Sequence, residues 1–218
     1  MRGSARGATR HAAAFVGLLL LHGAFLVAMR RRIGPERPTP ADLLSGSRAA
    51  CAAAILTSVT VGPAHRSPEQ ARRFLLLALL AATVTDWLDG PLARWFGPTR
   101  LGTVMDIEAD SLLTLALAAA AVRWGRLPAL VLVPPVVRYG DLVRTVRRGA
   151  IFTGDAIWWC RVTGGAQMLL FLVALAPGRH ERYRRSLRRV AIVISLAQCA
   201  TQVRDGRRRF GPHSVSVR

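Results

Sequence analysis

The sequence contains no lysine, no asparagine and few carboxylates: 12 Asp and Glu stand against 31 basic residues, every one of them arginine, for a net charge of +19. Each shortage excludes something. Only three cysteines are present, Cys51, Cys160 and Cys199. They are far apart, odd in number and set in apolar stretches, so neither a disulfide framework nor a Cys/His zinc spacing exists, and they read as buried structural thiols. Aromatics reach only 6%, and the arginines form short clusters between apolar runs rather than one basic face with interleaved aromatics. That pattern argues against a nucleic-acid partner and for the loops of a membrane protein. The exclusive use of arginine fits a GC-rich coding sequence better than selection for bidentate phosphate binding.

What is abundant is apolar length. Hydrophobic residues make up 51% of a 218-residue chain, and they concentrate in the runs Ala12–Met29, Ala41–Val61, Phe74–Leu88, Gly102–Val122, Leu127–Val143, Trp158–Pro177 and Val190–Val203. A helix crosses a bilayer with roughly 17–25 apolar residues, which several runs reach alone and others with their flanks. No strand alternation or repeat is visible, and frequent Gly and Ala suit close helix packing in lipid. The expected fold is an all-α integral-membrane bundle with a six-helix core and one extra N-terminal hydrophobic helix. The expected organisation is 1–38 for a basic N-terminus with the extra helix, 39–204 for the transmembrane domain, and 205–218 for a basic tail. The first run resembles a signal sequence, but Arg30-Arg31-Arg32 follows and no convincing cleavage site precedes it, so an uncleaved helix is expected.

Five of the few carboxylates fall between Asp86 and Asp110, in DWLDGPLARWFGPTRLGTVMDIEAD. Carboxylates at membrane depth are costly unless compensated. On a helix, Asp86, Asp89, Gly90 and Ala93 share one face, and so do Gly102, Asp106 and Asp110. Phe96-Gly97-Pro98-Thr99 reads as a turn between the two helices. Four aspartates brought together there would repel, whereas one or two Mg²⁺ or Mn²⁺ ions would convert the repulsion into coordination. Oxygen ligands without nearby Cys or His argue against zinc or copper. Glu108 points away from this face and is expected either to support the ligands from behind or to pair with an arginine. Arg94 and Arg100 are either snorkelling interfacial cations or phosphate ligands beside the metals, Arg94 being the better placed for the second role.

The pattern Asp86-x2-Asp89-Gly90-x2-Ala93-Arg94-x7-Gly102-x3-Asp106-x3-Asp110 resembles the signature of the CDP-alcohol phosphatidyltransferases. All eight fixed positions are present; the stretch between Arg94 and Gly102 is one residue shorter than usual, and the missing residue falls in the turn. Thr39-Pro40-Ala41-Asp42-Leu43-Leu44-Ser45-x2-Arg48 is similar to the family's first helix, with Asp42 where Asn is common. The resemblance implies that Asp86, Asp89 and Asp106 hold two divalent ions with Asp110 also near a metal. It implies further that Gly90, Ala93, Arg94, Thr99 and Gly102 form the CDP-lipid site. Asp110 would be the general base that deprotonates an acceptor alcohol, with CMP as the leaving group. The implied partners are a CDP-linked lipid such as CDP-diacylglycerol, a small alcohol and membrane lipid; a homodimer stays open.

Beyond Asp110 the intramembrane charges are Arg138, Asp141 and Arg161. Arg138 and Asp141, at i and i+3, suit a structural ion pair. If instead Arg138 and Arg161 converge, they suit a phosphorylated acceptor such as glycerol 3-phosphate or an inositol phosphate. An active site facing the cytoplasm, at a bacterial plasma membrane, places 14 arginines inside and 11 outside, a small bias in the expected sense. An Asp-rich, Mg-dependent prenyltransferase is a rival reading, but residues 111–218 carry only Asp141, Asp155 and Asp205, without a second cluster. A cation or proton transporter would not need the Gly90, Ala93, Arg94 and Gly102 framework, and a degenerate scaffold would not need all four aspartates.

Overall fold

The computed structural model describes residues 2–34, 37–61, 68–97, 99–147, 158–176 and 183–210, and these form helices without a strand. In chain order they are α1 (Arg2–Ile33), α2 (Pro40–Thr60), α3 (Pro68–Phe96), α4 (Arg100–Arg123), α5 (Val133–Arg147), α6 (Trp158–Leu175) and α7 (Arg184–Phe210). Asp155 lies outside the described residues, as does Pro98 in the expected turn.

Local signals explain the boundaries. Thr39 caps α2 through a capping box: its hydroxyl accepts from the Asp42 N–H, while the Asp42 carboxylate accepts from the Thr39 N–H. Pro40 at the first helical position lacks only an N–H that would have no helical partner. Gly97 stops α3 with φ of 85°, a left-handed conformation that a side chain disfavours. Gly125, at φ 66°, closes α4 in the same way, and the N–H groups of Arg126 and Leu127 turn back onto the Ala121 carbonyl. The single run expected over Leu127–Val143 is divided: Pro128 precedes a short 3-10 turn, Ala129–Leu132, and α5 begins only at Val133. Three prolines in eight positions (Pro128, Pro134, Pro135) account for the break, because none can donate into a continuous helical ladder.

The core is built on an alanine seam. Ala49, Ala52 and Ala53 of α2 and Ala109, Ala116, Ala120 and Ala121 of α4 are almost completely buried, and these two helices share the most extensive helix–helix contact. Small side chains let the two backbones approach closely. Ile55, Leu113, Leu117 and Phe171 fill the space around the seam. Leu77, Leu80, Leu169, Leu172, Val193 and Leu196 remain exposed on the outer faces, as expected of surface that meets lipid.

Among the described residues, four helical stretches are long and apolar enough to cross a membrane: Thr9–Arg31, Pro40–Thr60, Glu69–Phe96 and Trp158–Leu175. The other three helices do not qualify on length and composition. Helix α4 carries Asp106, Glu108 and Asp110, α5 has only 15 residues, and α7 has arginines at both ends. Charge and brevity thus set these three helices apart from the other four.

Helix α1 packs on the bundle through a second, smaller cluster in which Met29 meets Leu101, Val104 and Leu142, flanked by Phe25 and Ile33. His22 of α1 reaches Glu108, with Nδ1 and Oε2 2.6 Å apart and both side chains largely buried. Tyr139 of α5 lies beside the same carboxylate. Glu108 therefore pairs with a histidine of the extra helix; of the two expectations, support from behind the ligands or pairing with an arginine, the second is not seen among the described residues. A residue 86 positions upstream cannot be chosen from helical periodicity, which orients Glu108 but does not say what it faces.

Candidate active site

The catalytic candidates converge because α3 and α4 are joined by a short turn and both pack on α2. Helix α3 presents Asp86 and Asp89, α4 presents Asp106 and Asp110, and α2 inserts Arg48 between them. Asp86, Asp106 and Asp110 each place one carboxylate oxygen within 4.8 Å of the others, close enough to share a metal ion. Asp89 stands outside this triad, facing Arg48 and Ser45, whose hydroxyl lies 3.5 Å from Asp89 Oδ2.

Arg48 closes the first-helix pattern, yet periodicity and motif spacing gave it no role. It is 1% exposed, the largest fully buried side chain of the described residues. Its Nη1 lies 2.5 Å from Asp110 Oδ1, 2.9 Å from Asp106 Oδ1 and 3.2 Å from Asp86 Oδ1, and its Nη2 pairs with Asp89 Oδ2. One guanidinium thus touches all four aspartates. A signal was available: Arg48 is the sole basic residue of the Ala41–Val61 run, and an ionisable group inside such a run requires a partner. The partners lie on helices 38 to 62 residues away, beyond the reach of any local pattern.

The cluster fits a hard divalent cation. Every donor is a carboxylate oxygen, which favours Mg²⁺, Mn²⁺ or Ca²⁺ over softer metals. Asp89 Oδ1 is buried without a hydrogen-bond partner among the described residues, an expensive arrangement unless a cation compensates it. Asp86, Asp106 and Asp110 are all partly open to solvent, so an ion and its ligand have access.

The residues around the aspartates divide into two groups. Gly90 is exposed on α3, and a Cβ placed there would lie 3.5 Å from Arg94 Nη1. The Arg94 side chain therefore folds back over the position where Gly90 lacks one, beside Asp89. Ala93 occupies the same helix, and its side chain lies outside the described residues. Thr99 and Gly102 instead hold the turn together. Thr99 caps α4 by accepting from the Gly102 N–H at 2.8 Å and donates to Asp42 Oδ1 at 3.1 Å. A Cβ on Gly102 would collide with the Asp42 carboxylate and lie 2.7 Å from Thr99 Oγ1. Asp42, read from sequence only as an unusual residue in the first helix, is thus a buried link between α2 and α4.

Arg138 is half-buried on α5 and Arg161 is exposed in the first turn of α6. The guanidinium that reaches the carboxylates is neither of these but Arg48.

A family model described as CDP-alcohol phosphatidyltransferase matches residues 39–201. Among curated proteins, a CDP-diacylglycerol–glycerol-3-phosphate 3-phosphatidyltransferase of Haemophilus influenzae is 30% identical over 129 residues, which cover 54% of this chain and 65% of that protein. The chain thus spans just under two thirds of that relative's length. No solved structure gives a significant match. With the aspartate signature converging as it does and the match running from α2 into α7, the chain belongs to the CDP-alcohol phosphatidyltransferase family.

Proposed function

We propose that this protein transfers a phosphatidyl group from CDP-diacylglycerol to a small alcohol, releasing CMP, at a bacterial cytoplasmic membrane with the site facing the cytoplasm. The observation that carries the reading is the convergence of Asp86, Asp89, Asp106 and Asp110 from two helices onto one partly open cluster. Family membership favours it over the prenyltransferase and transporter readings. Glycerol 3-phosphate is the acceptor we favour, because the Haemophilus relative is named for it and Arg138 and Arg161 provide cations in the later helices.

In this reading Asp86, Asp106 and Asp110, with Asp89 beside them, would hold Mg²⁺ or Mn²⁺, and the ion would supply electrostatic stabilisation of the phosphoryl charge. Gly90 leaves a flat approach beside Asp89 for the CDP moiety, and Arg94, folded over it, offers two donors to phosphate oxygens. Thr99 and Gly102 shape the adjoining turn. Asp110 takes the proton of the acceptor hydroxyl as its oxygen attacks the β-phosphorus; the new P–O bond forms as the bond to CMP breaks. Asp110 is suited to this because it shares the cluster with the metal ligands yet retains partial access to solvent.

The test is CMP release by the purified protein with CDP-diacylglycerol and a panel of alcohols, with Mg²⁺, Mn²⁺ or EDTA. Metal-dependent release with glycerol 3-phosphate well above that with uncharged alcohols is expected. Equal release with neutral and phosphorylated acceptors overturns the acceptor assignment, and release unaffected by EDTA overturns the metal assignment.

A further inference from the structure

The aspartate cluster already contains a cation, and it is part of the chain. Arg48 Nη1 contacts Asp86 Oδ1, Asp106 Oδ1 and Asp110 Oδ1, which belong to the three carboxylates that lie close enough to share a metal ion. A divalent ion and this guanidinium therefore compete for the same three carboxylates. The side chain has no exposure to solvent, so it cannot relax into water when an ion arrives. It can only give up part of its contacts while staying within the bundle. Its second nitrogen offers that route, since Nη2 is committed to Asp89, which Ser45 of the same helix also touches.

We propose that Arg48 is a built-in counter-ion, which holds the four aspartates together in the metal-free protein and is displaced from Asp86, Asp106 and Asp110 when a divalent cation binds. The inference rests on the metal-binding reading of the cluster. Four carboxylates with one guanidinium leave three net negative charges, enough to attract a divalent ion yet fewer than the bare cluster would present. The planar, permanently charged guanidinium suits this role, because its fork spans carboxylates on two helices at once. Arg48 then sets metal affinity by opposing it, and sets the shape of the empty site by preventing α3 and α4 from being forced apart.

The experiment uses the full chain purified in detergent and stripped with EDTA, with Mn²⁺ binding followed through the electron paramagnetic resonance signal of the free ion. R48Q removes a positive charge a few ångströms from the ion, so it is expected to bind Mn²⁺ at least about tenfold more tightly than the wild type. R48K retains the charge and is expected within about threefold of the wild type. Stripped R48Q is expected to melt at a lower temperature than stripped wild type, with the gap closing at saturating Mn²⁺. Should stripped R48Q not remain folded, R48Q/D89N compared with D89N gives the same affinity ratio with one negative charge fewer. Wild type that binds Mn²⁺ while R48Q, or R48Q/D89N against D89N, binds no more tightly overturns the inference. Wild type that binds no Mn²⁺ overturns the metal reading itself, and the counter-ion role falls with it.

Discussion

Thr99 Oγ1 donates a hydrogen bond to Asp42 Oδ1 across 3.1 Å, while Asp42 Oδ2 accepts from the Thr39 backbone N–H at 2.7 Å. One carboxylate therefore joins the start of α2 to the start of α4. Gly102 completes the arrangement, since any Cβ at that position would meet the Asp42 carboxylate. The α3–α4 turn, short by one residue against the family pattern, is fastened by a side chain from a third helix.

Gly102→Ala is expected to destabilise the protein by about 1–3 kcal/mol, the usual range for overpacking a tight site. Thermal unfolding in detergent measures this. Adding Asp42→Ala is expected to recover part of the loss, because it removes the atoms the new methyl group strikes; strictly additive losses in the double variant exclude the contact as the cause.

Thr99→Ala is expected to cost about 1 kcal/mol through the lost cap of α4. Thr99→Ser keeps the hydroxyl and is expected to remain near wild type in the same melting assay.

Gly90→Ala leaves its Cβ in ordinary contact with Arg94, so melting is expected to be unchanged. Gly90→Leu is expected to raise the apparent KM for CDP-diacylglycerol by about tenfold or more, as a few excluded contacts in a fitted site each weigh on the order of a kcal/mol. Unchanged KM in the leucine variant removes Gly90 from the donor site.

Asp110→Asn is expected to abolish CMP release while metal-dependent binding of CDP-diacylglycerol persists, because the amide cannot accept the proton. General-base contributions are on the order of 10²–10⁴ in rate, and binding measured with labelled donor separates that loss from a failure to bind.

His22→Ala leaves Glu108 buried without its histidine. Leaving a buried polar group without its partner costs about 1–3 kcal/mol, so a lower melting temperature and faster proteolysis within α1 are expected. His22→Ala with Glu108→Gln is expected to be less damaging than His22→Ala alone.

Much of this was legible in the sequence because it is periodic. Apolar runs located the helices, and the i, i+3, i+4 spacing of Asp86, Asp89 and Gly90, with the i, i+4, i+8 spacing of Gly102, Asp106 and Asp110, placed the aspartates on facing sides of one turn. The break before α5 was also written locally, in Pro128, Pro134 and Pro135, but a run of apolar residues concealed it. Arg48, Asp42 and His22 could not be assigned in this way. Each acts on a helix distant in sequence, and only packing decides that Arg48 meets four carboxylates or that His22 meets Glu108. Gly102 illustrates the same limit: its place in the pattern could not show that its backbone packs beside the Asp42 carboxylate.

The placement of Arg48 also has a temporal side. Helix α2 leaves the ribosome before α3 and α4, so during synthesis its guanidinium precedes every carboxylate that will surround it. Until the helical hairpin carrying those aspartates arrives, α2 must hold a charge whose presence in a bilayer centre costs about 2.5–3.5 kcal/mol on insertion scales. Arrival of α3 and α4 brings the four carboxylates that Arg48 meets in the folded protein, so the charge of α2 is compensated only once the three helices are together.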